Sequence, residues 1–326
     1  METYVVTGAS GFVGGAIARA LLKKGFGVIA VARRPMAELA ALGADCRSLD
    51  LSSSSSDLAA VVRGAAGVFH TAASVGMWGP FQAFYQSNVI ATERLLDACE
   101  KETVSRFVFT SSPSVIADGL DLRGVDESYP YPARYKAFYP MTKAAAERAV
   151  LARAKDSFRT ASLRPHLIFG PGDTNLIPTI VKKARQGQLA VIGNGFNLVD
   201  VTYIDDCVQA HLLAMESLGQ SSDASGKSFF ISQGEPVNLW SFVDAVLEKS
   251  GCGPIHRRVP TWLAYSLAGV AEVISRIRPG YPEPRLTRFL VSEMSTHHYF
   301  SIDRAANLLG YSPAYSVQDA LDRTFS

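Results

Sequence analysis

The chain has few cysteines, little net charge and no long apolar run, and each shortage excludes a class of protein. Cys46, Cys99, Cys207 and Cys252 are scattered through 326 residues with no C-x-x-C pair. That spacing speaks against a disulfide framework or a zinc ribbon, and reduced thiols in a cytoplasmic compartment account for it most simply. His297-His298 has no cysteine or carboxylate at ligand spacing, so it reads as structural and no metal site is expected. Lysine plus arginine (32) nearly balance aspartate plus glutamate (30), giving a formal charge of +2. Without a basic field, nucleic acid is not an expected partner. No stretch approaches the roughly 18 consecutive apolar residues of a membrane span. The first residues run straight into a strand-like segment, which leaves no room for a signal peptide.

What is present is an alternation of short apolar runs with helical segments, the pattern of an α/β doubly wound parallel sheet. Thr3–Thr7 reads as a buried strand and leads into Thr7-Gly8-Ala9-Ser10-Gly11-Phe12-Val13-Gly14, followed by helical composition over 16–24. Strand, glycine turn and helix form the context of a dinucleotide-binding fingerprint. Gly8 permits the tight turn, Gly11 lets the backbone approach a pyrophosphate, and Gly14 allows the helix to pack closely on the strand. The helix N-terminus adds free N–H groups, with Ser10, Phe12 and Val13 completing the candidate contacts. The spacing is G-x-x-G-x-x-G, whereas the standard motif is G-x-G-x-x-G.

Further strands are expected at 27–32, 44–49, 68–70, 106–112 and 161–163, and helices at 58–63, 87–101 and 142–153, the first capped by Ser56 or Asp57. In such sheets ligands sit beyond the carboxyl ends of the strands. The glycine turn, Arg33, Asp50, Ala72 and Ser112 all fall there. An acidic residue ending the second strand would bind the 2′-hydroxyl of NAD, whereas Arg33 and Arg34 suit a 2′-phosphate. NADP is therefore the expected cofactor, with NAD as the alternative, and two solvated surface arginines are the competing reading. Asp50-Leu51 flanks the adenine, or Asp50 serves a local cap.

In Tyr139-Pro140-Met141-Thr142-Lys143, the phenol and the ammonium stand four residues apart at the start of a helix, on one face. A phenol ionises near pH ~10, and a neighbouring ammonium favours the phenolate. Such a pair can exchange a proton with an alcohol or a carbonyl. Asn88 reads as a helix N-cap or a site residue. His70 reads as a satisfied core histidine, and Asp205-Asp206 as capping for the helix that follows.

Six strings occur in the order found in extended short-chain dehydrogenase/reductases. They are the glycine turn, Asp50-Leu51, His70-Thr71-Ala72-Ala73, Phe109-Thr110-Ser111-Ser112, Tyr139-x-x-x-Lys143 and Arg164-Pro165. Longer strings, 110–115, 163–173 and Asn197-Leu198-Val199-Asp200, resemble the 3β-hydroxysteroid dehydrogenase branch, and 73–78 followed by Gly79 adds to the likeness. The resemblance spans nearly the whole chain, to Leu309-Gly310-Tyr311-Ser312-Pro313. It implies a catalytic set of Ser112, Tyr139 and Lys143. Ser112 would hold the reacting oxygen, Tyr139 would exchange the proton, and Lys143 would lower the tyrosine pKa and bind the nicotinamide ribose. Ala72, Ala73, Pro165 and His166 would line the cofactor. The implied reaction interconverts a ketone and a secondary alcohol on an apolar 3-oxoacyl or 3-oxosteroid-type substrate, with reduction as the physiological direction. A nucleotide-sugar epimerase or dehydratase and a non-catalytic NADP-binding redox sensor are the alternatives. Relatives also imply a homodimer.

Residues 1–165 with parts of 190–235 are expected to form the nucleotide-binding domain, and 166–190 with 236–326 a substrate-binding cap. Leu263, Leu267, Val270 and Ile274 recur on one helical face, which reads first as an ordinary core stripe. With Trp262 and Tyr265 it could instead line an apolar pocket. Arg257, Arg258, Arg276 and Arg278 flank it, so peripheral contact with lipid is the third reading.

Overall fold

Parallel strands buried on both faces favour near-continuous apolar runs, and seven strands pair in the computed structural model, which describes residues 1–76 and 78–326, with only the edge strand Asp45–Ser48 polar and partly exposed throughout. Met77, inside the 73–78 string, lies outside the described residues. The strands are β1 (Thr3–Thr7), β2 (Gly27–Ala32), β3 (Asp45–Ser48), β4 (Gly67–His70), β5 (Arg106–Thr110), β6 (Arg159–Pro165) and β7 (Lys227–Ile231). They lie in the order β7-β6-β5-β4-β1-β2-β3, every pair parallel. The strand order reverses between β1 and β4, the point at which doubly wound sheets take ligands beyond their strand ends.

Alternation along β1 sends Val5 and Val6 to opposite faces. Val6 joins Ile17, Phe69, Leu163 and Phe229 in one core, whereas Val5 joins Val68, Leu95, Phe107 and Val150 in the other. Helix Phe12–Lys23 packs beside Ile204–Gln220 on the first face. Helices Ala91–Lys101 and Phe138–Ala152, the second called here the Tyr139 helix, cover the other.

Several expected boundaries move for local reasons. The strand expected over 106–112 ends at Thr110, because Ser112 caps a short 3-10 turn, Pro113–Ile116. Asp57 caps Leu58–Val62, accepting from the Ala60 N–H at 3.0 Å. The helix expected over 87–101 begins earlier, as Phe81–Phe84 followed by a π turn, Tyr85–Ile90, so Asn88 lies within it and is not an N-cap. The last helices, Asp303–Leu309 and Val317–Phe325, bury Ala305, Leu309, Ala320 and Leu321 in the core shared with β7. Residues 303–325 thus pack with the central sheet, and the Tyr311 hydroxyl anchors them by donating to the Ser232 carbonyl at 3.0 Å.

A four-stranded sheet of Val237–Asn238, Leu198–Val199, His298–Phe300 and Leu122–Val125 sits apart from the main one. Beside it, Val191–Ile192 pairs with Arg258–Val259, and helices Thr261–Ile277 and Arg288–Ser295 bury Val191, Ile192 and Trp240. The core-stripe reading of Thr261–Ile277 is overturned. Its buried positions are Ala264, Ala268, Glu272 and Ser275, while Leu267, Val270 and Ile274 face solvent and Leu263 is half-buried. Small side chains let this helix approach Arg288–Ser295 closely. Glu272 then clamps the two, accepting from the Arg288 N–H at 2.7 Å and from its guanidinium at 2.9 Å.

The Tyr139 helix is joined to β6 by a buried ion pair. Glu147 accepts from Arg164 Nη2 at 2.6 Å, the Ser162 hydroxyl at 2.7 Å and the Tyr131 hydroxyl at 2.7 Å. Burial pushes the Glu147 carboxyl up, but the Arg164 charge and these hydrogen bonds outweigh it and hold the group below its ordinary value. Replacing Arg164 by Leu strands this carboxylate in the core. The expected cost is about 3–5 kcal/mol in urea unfolding, with the double variant Arg164→Leu, Glu147→Leu less damaged. A single-variant loss below about 1 kcal/mol would show that the pair does not hold the helix.

Candidate active site

The glycine turn is shaped by what packs on it. Gly8 has a φ of +69°, and a Cβ there would stand 2.8 Å from the Ala72 nitrogen and from Thr71 Oγ1. A Cβ on Gly14 would lie 2.5 Å from the Gly8 carbonyl oxygen and 2.6 Å from Thr71 Oγ1. Thr71 donates to the Thr7 carbonyl at 2.7 Å, and the Ala72 N–H donates to Thr7 Oγ1 at 3.3 Å, so the ends of β1 and β4 are laced across the turn. Gly11 is the N-cap of Phe12–Lys23 and brings no side-chain acceptor. The first-turn N–H groups at Phe12 and Val13 therefore have no side-chain cap, with Ser10 half-buried beside them. A cradle that no Cβ can enter, ending on uncapped helix donors, fits a pyrophosphate.

At the end of β2, Arg33 and Arg34 are exposed, and among the described residues neither forms an ion pair. The Asp50 carboxylate accepts from the N–H of Ser52 at 2.8 Å and from its hydroxyl at 2.7 Å. These bonds, with the Arg33 charge, hold it below its ordinary value. Asp50 therefore closes a local turn, and Leu51 is buried in the sheet's core. Ala73 is half-buried next to Ala72.

Phe138, Tyr139 and Pro140 are the first three residues of their helix, where backbone donors have no intrahelical partner, so the proline costs no hydrogen bond. Lys143, one turn on, is buried. Its Nζ donates to the Thr110 carbonyl at 2.6 Å and lies 4.0 Å from the centroid of the Phe109 ring. Two residues along, the half-buried Ser112 hydroxyl accepts from the Ser114 hydroxyl at 3.0 Å and faces the Tyr139 phenol. Tyr139 and Ser112 thus face each other beyond the end of β5, with Lys143 one helical turn on and its ammonium on Thr110.

Burial governs their proton affinities. Desolvation pushes the Tyr139 phenol up to about 12, with the Ser112 hydroxyl pulling the other way. The expectation that Lys143 lowers the tyrosine value is not met in this arrangement. Desolvation pushes the lysine itself down to about 7, against the opposing charge of Glu147, and its ammonium is turned to Thr110.

The remaining predicted residues sort by their partners. His70 bonds Thr7 Oγ1 at 2.7 Å and Thr92 Oγ1 at 2.9 Å, and burial lowers it to about 3, so it is a neutral core histidine. Pro165 ends β6 in a buried position. The His166 N–H donates to Thr202 Oγ1 at 3.1 Å, and its ring bonds the His298 ring at 2.7 Å; burial holds His166 well below its ordinary value. Asp206 accepts from the Ala314 N–H at 2.8 Å, so it anchors the C-terminal segment as well as lying in a helix's first turn. Asn88 does more than the sequence indicates. Its Oδ1 accepts from the Ser74 N–H at 2.7 Å, and its Nδ2 donates to Thr142 Oγ1 at 3.0 Å, tying the loop after β4 to the Tyr139 helix. The π turn that aims it leaves no mark in the apolar pattern.

An aromatic rim borders Tyr139. Phe81 and Phe138, both partly exposed, have ring centroids 5.5 Å apart. The Arg276 guanidinium lies 5.7 Å from the Trp78 ring centroid, and Lys136 donates to Ser292 Oγ at 3.1 Å, so helices Thr261–Ile277 and Arg288–Ser295 reach the loop after β4 and the segment before the Tyr139 helix. An open cleft of about 1010 Å³ lies against the start of Thr261–Ile277, lined in part by Gly193, Arg258, Trp262 and Tyr265, and Tyr139 does not line it.

Residues 5–260 match the model of the 3-beta hydroxysteroid dehydrogenase/isomerase family. A 2-alkyl-3-oxoalkanoate reductase of Stenotrophomonas maltophilia is 38% identical over 325 residues, covering 98% of this chain and 97% of that protein. The mouse (Mus musculus) sterol-4-alpha-carboxylate 3-dehydrogenase, decarboxylating, is 35% identical over 273 residues, covering 82% of this chain and 75% of its own length. Among solved structures, MoeE5 in complex with UDP-glucuronic acid and NAD superposes with a TM-score of 0.73 at 26% identity, over 100% of this chain and 98% of that one.

The depressed value of Lys143 makes a signed prediction. Between about pH 7 and the ordinary lysine value near pH ~10.4, the unfolded chain holds a proton that the folded chain has released. This residue's contribution to stability therefore rises with pH across that window and is least favourable below pH ~7, where an ammonium must stay buried. Urea unfolding of the wild type and Lys143→Met, compared near pH ~6 and pH ~9, should show the variant's advantage shrinking as pH rises. A constant difference would place the lysine's titration elsewhere.

Proposed function

The chain belongs to the 3-beta hydroxysteroid dehydrogenase/isomerase family, and from that premise we propose that it reduces a ketone on an apolar 3-oxoacyl or 3-oxosteroid-type substrate, using NADPH. It is an NAD(P)-dependent oxidoreductase acting on hydroxyl and keto groups, as its relatives are named. What supports the finer reading is the placement of the Tyr139 phenol against Ser112 beyond the end of β5, with Lys143 one helical turn on, beside Thr110. Near-full-length similarity to a 3-oxoalkanoate reductase supports the acyl skeleton, and similarity to the sterol dehydrogenase supports the steroid one.

The bound nicotinamide supplies the hydride. Ser112 donates a hydrogen bond to the substrate oxygen and holds it against the phenol. Tyr139 gives that oxygen its proton, and a phenol raised to about 12 keeps its proton at neutral pH, the state that reduction needs. Lys143 would hold the ribose hydroxyls of a bound cofactor. Gly8, Ser10, Gly11, Phe12 and Val13 take the pyrophosphate, and Arg33 with Arg34 takes a 2′-phosphate. Asp50 and Leu51 border the adenine, and Ala72, Ala73, Pro165 and His166 border the nicotinamide half. Residues 166–190 and the helices between 261 and 295 cap the substrate. A dehydratase would need a further acid/base pair next to Ser112, where Pro113 and Ser114 stand.

Consumption of NADPH with a long-chain 3-oxo acid and, separately, a 3-oxosteroid tests this reading. Turnover with one of them should fall at least ~10²-fold in Tyr139→Phe, the low end for a lost general acid. Tight NADPH binding without turnover on either ketone would favour a redox-sensing role. In the same assay, Arg33→Ala with Arg34→Ala should raise KM for NADPH and leave that for NADH little changed, whereas equal losses would remove the phosphate clamp.

A cytoplasmic homodimer, paired through Ala91–Lys101 and the Tyr139 helix as relatives imply, completes the proposal. Sedimentation velocity at micromolar concentration should give twice the chain mass, and a monomer throughout would count against it.

A further inference from the structure

A hydroxyl carries one proton and two acceptor lone pairs, so whatever occupies the lone pairs decides where the proton goes. Ser112 caps the 3-10 turn Pro113–Ile116, and two donors of Ser114 reach its Oγ: the backbone N–H at 3.3 Å and the hydroxyl at 3.0 Å. Both lone pairs are then taken. The Ser112 proton is left to point away from the turn, on the side where the Tyr139 phenol stands. Ser112 pulls the proton affinity of that phenol down, which is the effect of a donor.

The turn that aims Ser114 is itself fixed. Pro113 sets the φ of the first position and brings no N–H to compete for Ser112. Val115 and Ile116 are buried with Leu122, Ala144 and Phe230, and the Tyr135 hydroxyl donates to the Val115 carbonyl at 2.9 Å. Ser114 is only 9% exposed, so little water competes for its proton. The neighbouring Thr110 hydroxyl is engaged elsewhere, bonded to the His211 ring at 2.8 Å.

We propose that Ser114 is a positioning residue for ketone reduction: by filling the lone pairs of Ser112 it commits that hydroxyl to donating, toward Tyr139 and the substrate oxygen. The inference rests on the reductase reading, in which the reacting oxygen of a bound ketone can only accept. A Ser112 hydroxyl free to rotate would spend part of its time with a lone pair against that oxygen, and the two would repel. With both lone pairs filled, Ser112 also cannot take a proton from a substrate hydroxyl while passing its own to Tyr139. It holds the oxygen, and Tyr139 exchanges the proton with the substrate directly.

Ser114→Ala removes the hydroxyl donor and keeps the backbone one. In ketone reduction its kcat should fall about fivefold, the worth of one neutral hydrogen bond, with KM for NADPH and melting temperature nearly unchanged. Ser114→Thr, which keeps a hydroxyl, should recover most of the loss. In a Ser112→Ala background, Ser114→Ala should cost nothing further, because the group it orients is gone. An undiminished kcat in Ser114→Ala overturns the inference, and so does an equal loss with and without Ser112, which makes Ser114 merely structural. Turnover that Tyr139→Phe abolishes and Ser114→Ala leaves alone thus removes the inference and keeps the reductase reading. If no ketone is turned over, that reading fails first, and the titration of Tyr139 decides. Its phenolate absorbance, taken as the difference from the matching Tyr139→Phe protein, should appear at higher pH in Ser114→Ala than in the wild type. An unmoved titration overturns the inference.

Discussion

Glu147 and Arg164 meet at 2.6 Å with almost no exposure to water, and their pairing joins the helix that carries Tyr139 and Lys143 to the strand that ends at Pro165 and His166. Tyr139, Lys143 and Glu147 are spaced four residues apart, so they share one helical face. Rotating or sliding the helix would pull Glu147 from Arg164 and from the hydroxyls of Tyr131 and Ser162. An unpaired buried carboxylate costs several kcal/mol, more than any single apolar contact along the helix would return. The pair is poor as a source of stability and effective as a stop on rotation, so the phenol and the ammonium are held where the strand ends.

The same dryness sets the protonation of the site. Desolvation raises Tyr139 and lowers Lys143, His70 and His166, in each case favouring the neutral form. Tyr139 faces Ser112, Lys143 is turned to the Thr110 carbonyl, and the two histidines are satisfied structurally. His70 is held between threonine hydroxyls from β1 and from the helix behind the sheet. Burial thus does two jobs with one cause, keeping the framework histidines uncharged and keeping a proton on the phenol.

The opposite arrangement prevails at the helix pair Thr261–Ile277 and Arg288–Ser295. There the buried stripe of Thr261–Ile277 is small and polar, and the large apolar side chains point outward. A periodic apolar stripe states only that some surface will cover it. Whether that surface is the protein's own core depends on close packing of Ala264 and Ala268 and on the Glu272–Arg288 clamp, neither of which shows in hydropathy.

Strand runs, the glycine turn and the four-residue spacing of Tyr139 and Lys143 are local, so the sequence by itself determined the doubly wound sheet, the nucleotide cradle and the shared helical face. These signals depend on backbone sterics and on helical or strand period, which neighbouring residues set among themselves. Other features waited for the tertiary structure. Asn88 reaches Ser74 and Thr142 only because a π turn rotates it toward them, and the C-terminal helices join the central core through contacts with distant β7. The tyrosine's proton affinity follows the same rule. Sequence proximity placed a charge four residues away, but desolvation is summed over every packed atom around the phenol, and only the folded chain decides which atoms those are.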